Sequence, residues 1–364
     1  MTDASVCPRT LGIETSCDET AVAVLGVDGR VEANELASQV MAHAPFGGVV
    51  PELASREHLT ALPMLVQRAL VAARGPIEAV AVTAGPGLMG ALLVGVRFAA
   101  AFAWGRGLPL AAVDHLHGHL ASPFLDLGGG PARAMPESVL ALVASGGHSS
   151  WYLVRGGDIC RLGRTRDDAA GESFDKVAQV LGLPYPGGPV VDRLARRGDP
   201  TQVPLPRVRL KDAAYDFSFS GLKSAAIRWV RGHGLVGAGA GTEDPPNAVA
   251  DLLAAFEQAV VDQLLAPAEA LIAEHRPRLV TVSGGVAANT LLRRRMVELG
   301  ERSGLEVVVP PLALTTDNAA MIARSGQLEL ACGRVADPRR LDAHARRAWQ
   351  PPGMRALSAR GGLG

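Results

Sequence analysis

The sequence predicts an α/β protein built from two similar halves. Three observations carry that prediction: a strand, polar loop, strand and glycine turn that recur roughly 130 residues apart, helices alternating with apolar strands after each copy, and a length of 364 residues. In the first copy Thr10 to Ile13 reads as a strand, Glu14 to Thr20 as the loop and Ala21 to Val27 as the second strand, with Asp28-Gly29 as a hairpin turn into a third. In the second copy Val139 to Val143 is the strand and Ser145-Gly146-Gly147-His148 the loop; Trp151 to Val154 is the second strand and Gly156-Gly157 the turn. A helix and a buried strand follow each copy, Leu59 to Ala73 then Ala79 to Thr83, and Ala248 to Glu274 then Leu279 to Ser283. Such alternation argues for mixed sheets covered by helices. The expected division is a first half at 1–135, a second at 136–333 with an irregular insertion near 205–244, and a disordered Arg-rich tail at 334–364.

Composition excludes several classes. Apolar residues make up 48% and charged residues 20%, with 36 basic side chains balancing 36 acidic ones. A neutral chain is no general polyanion binder, so any nucleic-acid surface must be local. Its clearest candidate is Arg334 to Arg360, where seven arginines face only Asp337 and Asp342; a solvated tail is the plainer reading. Gly and Pro, 42 and 25 residues, stay below the share that marks low-complexity chains. The first residues hold no apolar leader core, and Gly85-Pro86-Gly87 breaks the uncharged run Ala79 to Val96 into a strand and a helix start, so a cytoplasmic protein without membrane contact is expected. Cys7, Cys17, Cys160 and Cys332 show no paired spacing, which fits a reducing compartment and gives no Cys-type zinc site. Only Lys176, Lys211 and Lys223 are lysines in a chain that otherwise writes Arg, which marks them as candidate special positions.

Two α/β halves with polar loops at matching places suggest loops facing one cleft, where backbone N–H groups of tight turns hold phosphate oxygens. A third loop, Ser283-Gly284-Gly285 to Asn289, would let a flat base approach the backbone, with Asn289 placed to hydrogen-bond it.

Asp114-His115-Leu116-His117-Gly118-His119 holds three of the nine histidines. On a helix His115 and His119 share a face as a metal pair and His117 points elsewhere; on a strand all three would share a face. Leu120, Ala121 and Phe124 favour the helix, with Asp114 as its cap. A carboxylate would complete a two-His, one-carboxylate set suited to Fe(II) or Zn(II). Asp317, at a loop-to-helix junction, is either that ligand or an ordinary helix cap. No Glu follows the first His, which disfavours the zinc-protease chemistry of that helix type.

Taken in order, Gly12-Ile13-Glu14-Thr15-Ser16-Cys17-Asp18-Glu19-Thr20, Gly48 to Arg56, Gly85-Pro86-Gly87-Leu88, the His115/His119 pair, Ser145-Gly146-Gly147-His148, Phe174-Asp175-Lys176, Tyr185 to Pro189, Phe217 to Lys223 and Thr316-Asp317-Asn318-Ala319-Ala320 resemble the tRNA N6-adenosine threonylcarbamoyltransferase family, once called glycoproteases. The resemblance runs from about Leu11 to Leu330. It implies a duplicated actin-like, Hsp70-like ATPase fold (ASKHA), two ribonuclease-H-like domains around a central cleft, and transfer of a threonylcarbamoyl group from threonylcarbamoyl-AMP to the N6 amine of the adenosine beside the anticodon of tRNAs reading codons that begin with A. It implies that His115, His119 and Asp317 hold one divalent metal, Fe(II) first and Zn(II) second, and that Val143, Ala144, Ser145, Gly146, Gly147, Asp175, Gly188, Asp192 and Asn289 line the adenylate. It also implies a paralogous actin-like partner subunit and a small ATPase. For the proton leaving the amine, Asp18 and Glu19 are the candidate acceptors. A sugar or acetate-type kinase of the same superfamily is the alternative, which explains the phosphate loops but not the histidine pair.

Overall fold

The computed structural model describes residues 7–207, 210 and 215–346; Lys211 and residues 347–364 of the expected tail lie outside them. The chain divides into two compact units, and the described part of the first joins residues 7–135 to 310–346.

The first unit is built on a five-stranded sheet of β1 (Thr10–Glu14), β2 (Glu19–Leu25), β3 (Val31–Ser38), β4 (Ala79–Gly85) and β5 (Leu110–Asp114), ordered β3-β2-β1-β4-β5. β1 pairs antiparallel with β2 and parallel with β4, so the hairpin expected at Asp28-Gly29 forms one side and crossovers form the other. A short α1 (Val40–His43) leads to α2 (Pro51–Ala72) and α3 (Met89–Arg106), and α4 (His115–Ala121) follows β5 directly. Strand alternation sorts the side chains. Leu11, Ile13, Val22, Val24, Val80 and Val82 pack with Leu62, Val66, Leu92 and Val96 of α2 and α3. The opposite face carries the smaller set Ala21, Ala23, Ala81 and Ala111, and α11 (Ala319–Ala331) lies on it through Ala319, Ala320, Met321, Ile322 and Ala323. Small residues set the spacing. A Cβ on Gly12 would stand 2.4 Å from the Ala319 carbonyl oxygen, and one on Gly326 2.3 Å from Ala81 Cβ.

The second unit, residues 136–309, repeats the plan with β6 (Ser138–Ala144), β7 (Ser149–Arg155), β8 (Asp158–Arg164), β9 (Leu279–Ser283) and β10 (Glu306–Val308), ordered β10-β9-β6-β7-β8. Its helices are α5 (Ala170–Val180), α6 (Gly187–Ala195), α7 (Ser220–Gly232), α8 (Asn247–Leu265), α9 (Ala268–His275) and α10 (Thr290–Ser303). Leu140, Leu142, Val280 and Val282 of the sheet share a core with Phe174, Phe256, Val260 and Leu292 of the helices. Two sheets of matching order, each an antiparallel meander joined to parallel strands, are the duplicated actin-like α/β fold.

Three expectations need correction. The second half ends at Val309, not at 333, because α11 completes the first sheet. Residues 334–346 are not a loose tail: Ala336 bridges Leu110, Leu341 and Ala343 are buried, His344 N–H donates to the Ala84 carbonyl, and Arg97 binds the Leu341 carbonyl and the Asp342 carboxylate. The stretch near 205–244 contains a regular helix, α7, whose Leu222, Ala226 and Val230 enter the core at helical spacing. Among the described residues no helix is long and apolar enough to cross a membrane.

Candidate metal centre and ligand loops

Helix α4 exists because Asp114 ends β5 and caps it: the carboxylate accepts from Leu116 N at 2.9 Å and His117 N at 3.4 Å. Helical spacing then stacks His115 and His119, with ring centroids 4.7 Å apart and planes at 81°. His117 is left half-buried on another face, outside the ligand group. Asp317 reaches the pair from the loop before α11, with Oδ1 3.4 Å from His115 Nε2 and 3.1 Å from His119 Nε2. The helix-cap reading of Asp317 falls to its neighbour, since Asn318 caps α11 by accepting from Met321 N at 2.9 Å.

The ligating atoms of His115, His119 and Asp317 lie within 4.8 Å of one another. His119 is fully buried, and neither of its ring nitrogens makes a hydrogen bond to the described residues, although Nε2 lies 3.1 Å from Asp317 Oδ1. Buried imidazole nitrogens left so are costly unless something else fills them, and two neutral imidazoles with one carboxylate suit a divalent cation with open positions. The residues fit the metal.

Behind the pair stands a residue that sequence reasoning did not single out. Glu14, fully buried at the end of β1, accepts from Ser16 N at 2.5 Å and Thr83 Oγ1 at 2.6 Å, and lies 3.0 Å from His115 Nδ1. It holds the proton on Nδ1, so that Nε2 is the nitrogen that would give up its proton to a ligand. Its signal was a carboxylate closing an apolar strand. Burial disfavours charge on every member of this cluster, but proximity prevails: His115 holds Glu14 and Asp317 below the usual carboxylate range, and Asp317 and Glu14 lift His115 well above an ordinary imidazole.

The loop carrying Asp18 and Glu19 lies in the same unit, near enough for Asp317 to perturb Glu19. Burial, then the charges of Asp18 and Asp317, raise Glu19 to about 9. Asp18, the other candidate in this loop, is buried as well.

In the second unit the parallel strands β6 and β9 end side by side, Val143 opposite Ser283. Val143, Ala144 and Ser145 are buried, whereas Gly146 and Gly147 are exposed with open space where a Cβ would stand. Gly171 N and Glu172 N at the start of α5 donate to the Ser145 and Gly146 carbonyls, 3.2 Å each, and hold the turn. Gly284, at φ +89°, passes so close to Ala144 that a Cβ would meet its carbonyl oxygen at 2.3 Å. Asp175 accepts from Gly187 N at 2.7 Å, and Gly188 beside it faces open space. Asp192 accepts from Thr290 N at 2.8 Å and Thr290 Oγ1 at 2.6 Å, which sets it next to Asn289. Of the rare lysines, Lys176 is exposed on α5 and Lys223 pairs with Asp168 at 2.5 Å.

A family model described as tRNA N6-adenosine threonylcarbamoyltransferase matches residues 30–324. The chain belongs to that family. A threonylcarbamoyltransferase of Sorangium cellulosum is 50% identical over 338 residues, covering 89% of this chain and 92% of its own, and one of Moorella thermoacetica is 48% identical, covering 86% and 89%. Membership makes this chain an acyl-transferring enzyme of tRNA modification. Among solved structures, a full-length HypF in a phosphate- and nucleotide-bound form superposes at a TM-score of 0.55 with 14% identity, covering 92% of this chain and 47% of that one. HypF of T. kodakarensis gives the same score over 89% and 48%. These likenesses bear on the fold alone, and the kinase alternative has fold relatedness and nothing more.

Proposed function

We propose that the chain transfers the threonylcarbamoyl group of threonylcarbamoyl-AMP to the exocyclic N6 amine of the adenosine adjacent to the anticodon, in tRNAs reading codons that begin with A, and releases AMP. The observation that carries the reading is the convergence of His115, His119 and Asp317, which a sugar or acetate kinase would not need, in a chain of this family. In the step itself the N6 nitrogen bonds to the carbamoyl carbon, the bond from that carbon to the phosphate oxygen breaks, and the electron pair leaves with AMP. The donor is a mixed anhydride already activated, so the protein's task is to orient the amine and stabilise departing charge.

Each group has a part. The exposed Gly146-Gly147 turn offers backbone N–H groups to the phosphate, and Asp175, Gly188, Asp192 and Asn289 line the nucleoside. Asp18 and Glu19 are the candidate acceptors of the proton leaving the amine. His115, His119 and Asp317 would hold one divalent ion, Fe(II) first and Zn(II) second, which supplies Lewis acidity when bound. A paralogous actin-like subunit and a small ATPase are the proposed partners, and the cytoplasm the proposed compartment.

The test incubates the chain and those partners with threonylcarbamoyl-AMP and unmodified tRNA, digests the RNA and reads the nucleosides by mass spectrometry. The modified adenosine should appear with the wild-type chain and fall at least about 100-fold with His115→Ala. Full activity of a His115→Ala chain that binds no metal would reject the role given to the ion.

A further inference from the structure

Helix α8 turns Leu253, Glu257, Val260 and Leu264 to the interior, at spacings of four, three and four. Three are core residues and the fourth is a carboxylate only 6% exposed. Such a group needs a partner. Its partner is Asn289, whose Nδ2 donates to Glu257 Oε1 at 2.6 Å while its Oδ1 accepts from Leu292 N at 2.9 Å to cap α10. With Oδ1 and one Nδ2 hydrogen assigned, the amide is held in one orientation and keeps a single N–H to offer.

The charged groups that face Glu257 from α6 are Asp192 and Arg196, themselves paired at 2.6 Å. From α10 come the uncharged Asn289 and Thr290, with Arg293 donating to the Ala287 carbonyl. The buried face of α7, Leu222, Ala226 and Val230, is apolar. On α8 itself Asp251 accepts from Asp199 N, and Asp262 pairs with Arg295.

We propose that Glu257 is a positioning residue for the nucleoside end of the ligand: its ionised carboxylate locks the Asn289 amide so that the remaining N–H is presented to the adenosine, and ligand binding favours that ionised form. This rests on the adenylate reading above. Burial raises the Glu257 carboxyl, Asn289 lowers it and Asp192 raises it again, to about 7, so both protonation states exist near neutral pH. A protonated Glu257 is a weaker acceptor with an O–H of its own to place, and the lock loosens. Adenosine affinity therefore increases as pH rises through the titration of this one group.

Adenosine is the probe, because it carries no phosphate to titrate in the same range. Calorimetric titration of the full-length chain at about pH 6 and about pH 8 should show binding up to about tenfold tighter at the higher pH, the ratio of ionised fractions for a group near 7. Glu257→Gln keeps the size and an acceptor oxygen but cannot titrate, and its affinity should change by less than about twofold between the two conditions. Retained pH dependence in Glu257→Gln overturns the assignment. So does wild-type binding equally tight at both pH values, which leaves the adenylate reading standing and needs no variant to fold. Absence of adenosine binding to the wild type at either pH overturns both.

Discussion

Glu14 governs His115 by taking the hydrogen of Nδ1, and it keeps that position because Ser16 N and Thr83 Oγ1 anchor its two oxygens. Glu14→Gln preserves shape but offers an N–H where the site needs an acceptor, so metal affinity should weaken by about 10-fold to 100-fold. Competition titration of the variant with Zn(II), and anaerobically with Fe(II), measures this; wild-type affinity would show that the ring is oriented by something else. The imidazole pair could be read from the sequence because its four-residue spacing has one meaning on a helix. Asp317 could not be separated from a cap until Asn318 was seen to do the capping. Glu14 escapes notice because it reads as the first residue of a polar loop, where a carboxylate is ordinary, whereas β1 runs on to include it; Glu257 escapes notice because it occupies a position that helix periodicity reserves for an apolar side chain. A carboxylate in such a place is itself the signal.

Helix α4 is seven residues long, too short to hold together without its cap and its packing. Asp114→Ala should cost about 1 kcal/mol in urea unfolding and also weaken metal binding, since the first turn carries His115. A variant that loses stability while binding metal normally would show that α4 is shaped by its surroundings alone. Strands were the most readable elements: β9 begins and ends where its apolar run does, and the two glycine turns fall where the alternation stops. Helix extents were less so. α2 begins at Pro51 rather than Leu59, because a proline is suited to a first helical turn, and the long apolar run after Ala248 breaks near Pro267 into α8 and α9. Which sheet α11 would cover was not readable at all, because a helix's own periodicity shows that it has a buried face and not what lies against it. The cue was the matching of small residues, Gly12 and Ala81 on the strands with Ala323 and Gly326 on the helix.

The first unit is discontinuous in sequence, closed by a segment that begins at Pro310. Removal of residues 310–364 would strip α11 from a face bearing Ala21, Ala23, Leu25, Ala81, Ala111 and Val113. That face cannot stay in water as an ordered surface. Limited proteolysis of the truncated chain should cut within residues 7–135 at rates well above those of the intact chain, while 136–309 resists; equal resistance of both segments would mean that the first sheet is stable uncovered. The duplicated plan was evident from the recurring strand and loop pattern, but the return of the chain to its first sheet was not, since contact between distant segments leaves no local trace. His119 and Asp317, roughly 200 residues apart, are separated by the whole of the second unit. A ribosome therefore delivers both imidazoles long before the carboxylate they await, and an ion that requires all three can be captured only by a polypeptide whose late helix has docked. A chain cut short before Asp317 would hold both imidazoles without the carboxylate, and a site that needs all three would form only once synthesis has passed that residue.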